Sequence, residues 1–480
     1  MRVLLQFAPE QSPRHRARLA YAFRLFCSIY GHEAVVGDTR DSSAEVSLTY
    51  DQKVPDHRCV CLTQADVVRP LSQAAPNPTT FSKDGEQTFL FYRPLAEREP
   101  DWLAEIFEWV SCADEYSCTE RDSVGRVPFI AGYVGRHGLN PRVPYAGVAM
   151  AFLQKAIARI KPQLSLRPQA PSPSTHHFVI NTHDVDFLPR GVMPSSYRLA
   201  KNALISLFLH RSGKAALTQS VRAAAVAFGM RDPLDQVALL AEREKSRKTS
   251  ASYYFLCHRG HRRDGNYSIE EASTTDLMHV LEKTEQMEIG VHGSYCSLEP
   301  EENLAAEFNE LRQLGFRPLG GRQHWLRFTM PKLVRAVQGA DAAYDASIGW
   351  PYHVGYRAGA CFAFPPYDFE HEAPAGFLEL PLVLMDGATL RTDGHEGNGP
   401  QAVAETLNLS RRYGWGGISV LWHPTAFGGG QYPPEVGDFY WTLLRDGDSS
   451  GETWLSASSF VRTVWQRYEN AGLLPPWRWQ

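Results

Sequence analysis

Residues 177–186 read His177-Phe178-Val179-Ile180-Asn181-Thr182-His183-Asp184-Val185-Asp186, an apolar run that ends in two carboxylates. The run Phe178-Val179-Ile180 is strand-like, and THDVD (182–186) follows it directly. Side chains two apart on a strand point to the same side, so Asp184 and Asp186 can both face one pocket. Burying two acids together is costly unless a metal, a cation or a shared proton compensates. The bland alternative for these five residues alone is a solvated turn at a strand end.

Outward from this stretch, strand-like runs at 177–181, 251–256, 288–292, 318–321, 377–384 and 417–422 alternate with helical patterns, notably 233–247, 271–286 and 301–314. Such alternation predicts an α/β fold with a parallel sheet or barrel, and in barrels catalytic groups gather at the C-terminal strand ends. Upstream, 2–7 reads as a strand and 13–30 as a helix stopped by Gly31. Short strands are expected near 46–50, 58–62 and 88–92, and helices over 101–111 and 145–160. The stretch 161–177 is rich in Pro, Ser and Gln and reads as a linker. This predicts a smaller α/β N-terminal domain over 1–165, followed by a larger domain over 176–475.

At 480 residues, two domains are the reasonable expectation. A net charge of −4 without a long basic run argues against a nucleic-acid partner. Cysteines 27, 59, 61, 112, 118, 257, 296 and 361 are scattered, with no CxxC pair to suggest a structural zinc site. That usage fits a reducing compartment. The first residues carry no cleavable-signal pattern, and the run Ala203–His210 is too short to span a membrane. A cytoplasmic protein without a membrane span is expected.

Further polar groups sit at the ends of the later runs: His292 after EIGV, Arg322 and His324 after GG, and His423 after ISVLW. One strand-end histidine is usually a hydrogen-bonded structural residue. Three, with an acid pair and an arginine, point to metal-assisted hydrolysis. One carboxylate and two imidazoles can hold a divalent metal with open positions. A second carboxylate can serve as base, and a protonated histidine can donate to a leaving amine.

THDVD, EIGVHGSY, GGRQHWLRF, YDASIGW and LWHP, in that order, resemble the motifs of NodB-type polysaccharide deacetylases, carbohydrate esterase family 4, in a divergent branch with a D-x-D first motif. The resemblance covers roughly 176–430. It implies a distorted (β/α) barrel that removes N- or O-acyl groups from sugars with a bound metal, usually zinc. By position, Asp184 resembles the catalytic base, Arg322 the arginine that orients it, and His423 the general acid. Asp186 and His292 match metal ligands. The family's H-[ST]-x-x-H motif has Cys296 in place of its second histidine here, so His324 is the better third ligand and Cys296 the alternative.

The resemblance therefore implies a metal-dependent deacetylase acting on the amide bond of an N-acetylated sugar or polysaccharide precursor, with a divalent metal, zinc, and a saccharide as partner. Alternatives are hydrolysis of another C–N amide bond on the same fold, as in allantoinase-like relatives, or saccharide binding without turnover. DSVGRVPFIAGYVGRHGLNPRVPY (122–145) resembles a domain that precedes deacetylase modules in similar bacterial proteins; the resemblance implies no chemistry, and a docking or lid domain is expected here rather than a second active site. Asp345 and Arg357 could line the pocket or brace two loops as an ion pair. Asp386 suggests a supporting role at a strand end, and His183 could support the metal or simply pack. Trp325, Trp350 and Trp422 could stack on sugar rings or lie in the core.

Overall fold

The computed structural model describes residues 1–480 apart from 9, 38–42, 51–57, 66–76, 84–85, 95–97, 172–174, 190–191, 209–212, 285, 390–398, 428–433 and 478–480. Parts of three stretches singled out above, the linker, the run 203–210 and the helical pattern 271–286, lie outside the described residues.

The N-terminal part builds a small parallel sheet in the order β2-β1-β3-β4 from β1 (Arg2–Gln6), β2 (Glu33–Gly37), β3 (Val46–Thr49) and β4 (Cys59–Cys61). An antiparallel hairpin, β5 (Thr79–Lys83) and β6 (Glu86–Leu90), follows. The helix Pro13–Tyr30 begins where Ser12 accepts a bond from the His15 N–H, with Pro13 in its first turn, and ends at Gly31 in the left-handed region (φ 71°).

The large sheet is open, curled and parallel, with helices around it. Its strands are β7 (His177–Val185), β8 (Ala251–Leu256), β9 (Met287–Gly293), β10 (Gly320–Gln323) and β11 (Tyr344–Asp345). After a short ribbon, β12 (Tyr367–Asp368) and β13 (Ala373–Pro374), come β14 (Leu378–Glu379), β15 (Leu382–Met385), β16 (Gly416–Leu421) and β17 (Glu452–Leu455). The order is β14-β11-β10-β9-β8-β7-β16-β15, with β17 also beside β7. Every residue of β7, β8 and β9 is buried, as expected of parallel strands covered on both faces. Gly320 and Gly321 open β10 because a Cβ there would lie 2.3 Å from the Tyr344 carbonyl and 1.8 Å from the Val291 carbonyl.

The run expected as one strand over 377–384 divides at Leu380-Pro381. Pro381 has no N–H to give a ladder. Leu378 and Glu379 pair with β11, whereas Leu382–Met385 pair with β16. One segment thus carries both ends of the sheet order.

The N-terminal part and the large sheet share one apolar core that runs from Val3 to Leu474. Polar contacts join them as well: Arg357 grips Glu115 through two bonds of 2.7 and 2.8 Å, and Tyr21 donates to the Pro365 carbonyl at 2.6 Å.

Candidate metal centre

The C-terminal ends of β7, β9, β10 and β16 bring Asp184, Asp186, His292, His324 and His423 to one cavity of about 480 Å³, whose wall also holds Arg126 and Arg263. Asp184 lies on β7 and Asp186 one residue beyond it, two positions apart as the strand period requires. In the β9–β10 ladder Arg322 is the direct partner of His292, which sets both at the same height. His324 follows in a tight turn. His423 comes two residues after β16, and Asp386 directly after β15.

Asp186, His292 and His324 offer ligand atoms that all lie within 4.8 Å of one another, a cluster able to hold a divalent metal and suited to metal-dependent hydrolytic chemistry. Asp186 Oδ1 is 3.3 Å from His292 Nε2 and 3.6 Å from His324 Nδ1. His292 donates from Nδ1 to the Arg322 carbonyl at 2.9 Å, which turns Nε2 toward the carboxylates. Asp186 Oδ1 and His324 Nδ1 are buried and have no hydrogen-bond partner among the described residues. Buried polar atoms are rarely left so, and a cation held between them satisfies both. The donor set of one carboxylate oxygen and two imidazole nitrogens suits such an ion.

Burial works against ionisation throughout this cluster, and local charges decide each outcome. Asp184 is desolvated, yet Arg322 Nη1 at 2.8 Å, with the neighbouring histidines, holds its carboxyl below the usual range. Asp186 is likewise desolvated, but His324, His292 and His423 around it push its pKa well down. Burial lowers the His324 pKa to about 4, leaving a neutral ring with an available lone pair. His423 is also buried, but Asp386 outweighs that and raises it to about 10. The Asp386 oxygens lie 3.0 and 3.1 Å from His423 Nδ1, and one also accepts the His423 backbone N–H at 2.7 Å. His423 Nε2 is 3.5 Å from Asp186 Oδ2, whereas the two cluster histidines approach Oδ1.

Arg322 is wholly buried. Besides Asp184 it donates to Thr182 Oγ1 (2.9 Å) and to the Ala346 carbonyl (2.7 Å). Cys296 lies in a turn after β9 ends at Gly293, so the helical i, i+4 relation to His292 is never made, and Cys296 is not in the ligand cluster.

Most of the other sequence candidates lie outside the cavity lining. His183 is buried on the opposite side of β7 from Asp184, donating to the Trp422 carbonyl (2.6 Å) and facing Glu244 (2.9 Å). Asp345 accepts from Ser347, while Arg357 pairs with Glu115, so the two do not brace each other. Trp350 and Trp422 are core residues, whereas Trp325 is 43% exposed and lines the cavity.

Sequence reading missed Arg126. It reaches the cavity wall from the N-terminal part, with Nε on Asp122 (2.8 Å) and Nη1 on the Trp325 carbonyl (3.0 Å). Trp325 and Leu326 both have positive φ (62° and 51°), a conformation disfavoured for bulky side chains. Arg126 therefore holds down the strained turn that follows His324. Its only sequence signal was its place in the 122–145 stretch.

No family model matches the chain, and no curated protein matches it. Among solved structures it is similar to one from Mycobacterium smegmatis described as a polysaccharide deacetylase, at 15% identity and a TM-score of 0.39, over 65% of this chain and 96% of that one. It is also similar to Puue allantoinase, at 13% identity and a TM-score of 0.39, over 62% and 94% of the two chains. Likenesses this weak carry no weight for the chemistry, which rests on the cluster itself.

Proposed function

We propose that this chain is a metal-dependent deacetylase that removes the acetyl group from an N-acetylated sugar or polysaccharide precursor. Asp186, His292 and His324 would hold the metal, zinc in this reading. The observation that carries it is the pair of buried atoms without a hydrogen bond among the described residues, Asp186 Oδ1 and His324 Nδ1, beside an arginine-paired aspartate and a cationic histidine. When bound, a divalent ion supplies Lewis-acid polarisation of the acyl carbonyl and acidifies water.

The side chains divide the remaining work. Arg322 keeps Asp184 ionised and fixed, so its carboxylate accepts the proton of the attacking water. The water oxygen bonds to the acyl carbon, and the C–N bond then breaks. His423, protonated against Asp386 and presenting Nε2 to the cavity, delivers a proton to the departing amine nitrogen. Exposed Trp325 and Tyr352 in the cavity suit the apolar face of a sugar ring.

In the same reading the curled sheet is a distorted (β/α) barrel that the 378–385 segment brings together, and residues 1–165 are an accessory domain. The scattered cysteine usage, without a CxxC pair, supports a reducing, cytoplasmic setting. The test is acetate release from chito-oligosaccharides by the zinc-loaded protein. Asp184→Asn should lower the rate by about 10²–10⁴-fold. Zinc-loaded protein that binds the oligosaccharide and releases nothing would move the assignment to a binding protein.

A further inference from the structure

Between Asp186 and Asp232 the sequence carries Lys or Arg at positions 190, 198, 201, 211, 214, 222 and 231, and not one Asp or Glu. The whole chain has a net charge of −4, so this stretch reverses the local sign. Two helices lie within it, Val192–Phe208 and Gly213–Ala227, inserted between β7 and β8 and packed on each other. Asp232 ties down the base of the pair by accepting from Ser195 and from Arg198 (2.7 Å).

Each helix turns an apolar stripe to solvent. Met193, Tyr197, Leu204 and Leu207 are 77, 73, 58 and 47% exposed. At about 100° per residue those four positions fall within one arc of about 80°. The second helix repeats the spacing: Leu217 and Val221 are 67 and 60% exposed, and Phe228, just past its end, is 90% exposed. Leu199, Ala203, Ala216 and Val226 fill the buried side. Single exposed apolar residues need no explanation, but two aligned stripes do.

We propose that this hairpin is an interfacial anchor that lays its stripes into the surface of an anionic lipid bilayer. Basic amphipathic helices bind such surfaces through apolar burial together with attraction of Lys and Arg to anionic headgroups. Lys201 is exposed and flanks the first stripe, where a headgroup would sit. Pairing with a second copy would bring together two segments that carry no carboxylate from 187 to 231 to partner the Lys and Arg of the other. A nucleic acid would use the charge and leave the stripes in water. No helix among the described residues is long and apolar enough to cross a membrane, so the hairpin lies on the bilayer. It begins a few residues after Asp186 and after Phe187, which lines the cavity. The anchor stands independently of the deacetylase reading.

The test is co-sedimentation of the full chain with vesicles of phosphatidylcholine alone, or of equal parts phosphatidylcholine and phosphatidylglycerol, at low and high salt. Binding is expected to the anionic vesicles and to weaken with salt. The triple variant Tyr197→Ser/Leu204→Ser/Phe228→Ser, all exposed positions, should bind at least about tenfold more weakly with an unchanged circular dichroism spectrum. Lys201→Glu alone should weaken binding by about fivefold or more. Protein left in the supernatant with both vesicles, or equal binding to both, would overturn the proposal. So would a dimer in light scattering that the triple variant splits.

Discussion

Replacing Arg322 by methionine keeps most of the side-chain volume and removes the charge that faces Asp184. The guanidinium is fully buried and the Asp184 side chain only 4% exposed, so no solvent can take over. Thr182 Oγ1 and Ser419 Oγ each keep another partner, in the Val420 and Leu380 carbonyls. The Ala346 carbonyl loses its bond from Arg322. The dominant cost is therefore a buried carboxylate left with only its neighbouring histidines, up to about 3–5 kcal/mol, a large part of a typical total of about 5–15 kcal/mol. The assay is urea unfolding of wild type and Arg322→Met with a chelator present, so that metal linkage does not enter. Asp184→Asn/Arg322→Met should recover most of the loss, because its buried group carries no charge. The pH dependence has a definite sign. The Asp184 pKa is depressed in the folded state, so its stabilisation is present above the unfolded value of about 3.9 and lost as pH falls through the lower folded value. Wild type and Arg322→Met should therefore converge in acid. A single-variant loss below about 1 kcal/mol, the size of an exposed pair, would refute the reasoning, as would a double variant no better than the single.

Two further expectations concern other parts of the molecule. Burial, helped by Glu310 and Asp264, raises the Glu307 pKa to about 8 despite bonds from Ser294. The stability gained by keeping it neutral is complete below its unfolded value and is lost as pH rises toward 8. Glu307→Gln should thus match wild type near pH 5 and exceed it in urea midpoint near pH 9, and a pH-independent difference would refute this. Arg126→Met removes the bond to the Trp325 carbonyl, a charge-assisted contact of about 1.5–3 kcal/mol. It should raise KM by about tenfold with metal occupancy unchanged, and an unchanged KM would contradict the role of the N-terminal part in shaping the cavity.

Much of the large sheet was legible because its strands are buried on both faces and read as continuous apolar runs. His177–Val185, Ala251–Leu256 and Met287–Gly293 lie where those runs lie. His292 and His423 were visible for the same reason, since each follows an apolar run, EIGV or ISVLW. What escaped was set by contacts distant in sequence. Nothing near Arg126 in the chain shows that it reaches Trp325, and nothing near Glu244 shows that it lies beneath His183. The division at Pro381 could have been read, since a proline inside a strand pattern argues for a break. Cys296 invited a helical spacing rule that a strand ending at Gly293 does not obey. The helices 192–208 and 213–227 have no counterpart among the expected elements, because the apolar run 203–210 stands out in the sequence only as too short to span a membrane.

The central claim is that Asp186, His292 and His324 hold one divalent ion, and titration calorimetry with zinc tests it most directly. Wild type should take up one equivalent. Asp186→Asn and His324→Ala should each weaken binding beyond the roughly 10–100-fold expected for a supporting residue, while Cys296→Ala should leave it unchanged. No uptake by the wild type, or loss of binding in Cys296→Ala with full binding in His324→Ala, would contradict the account.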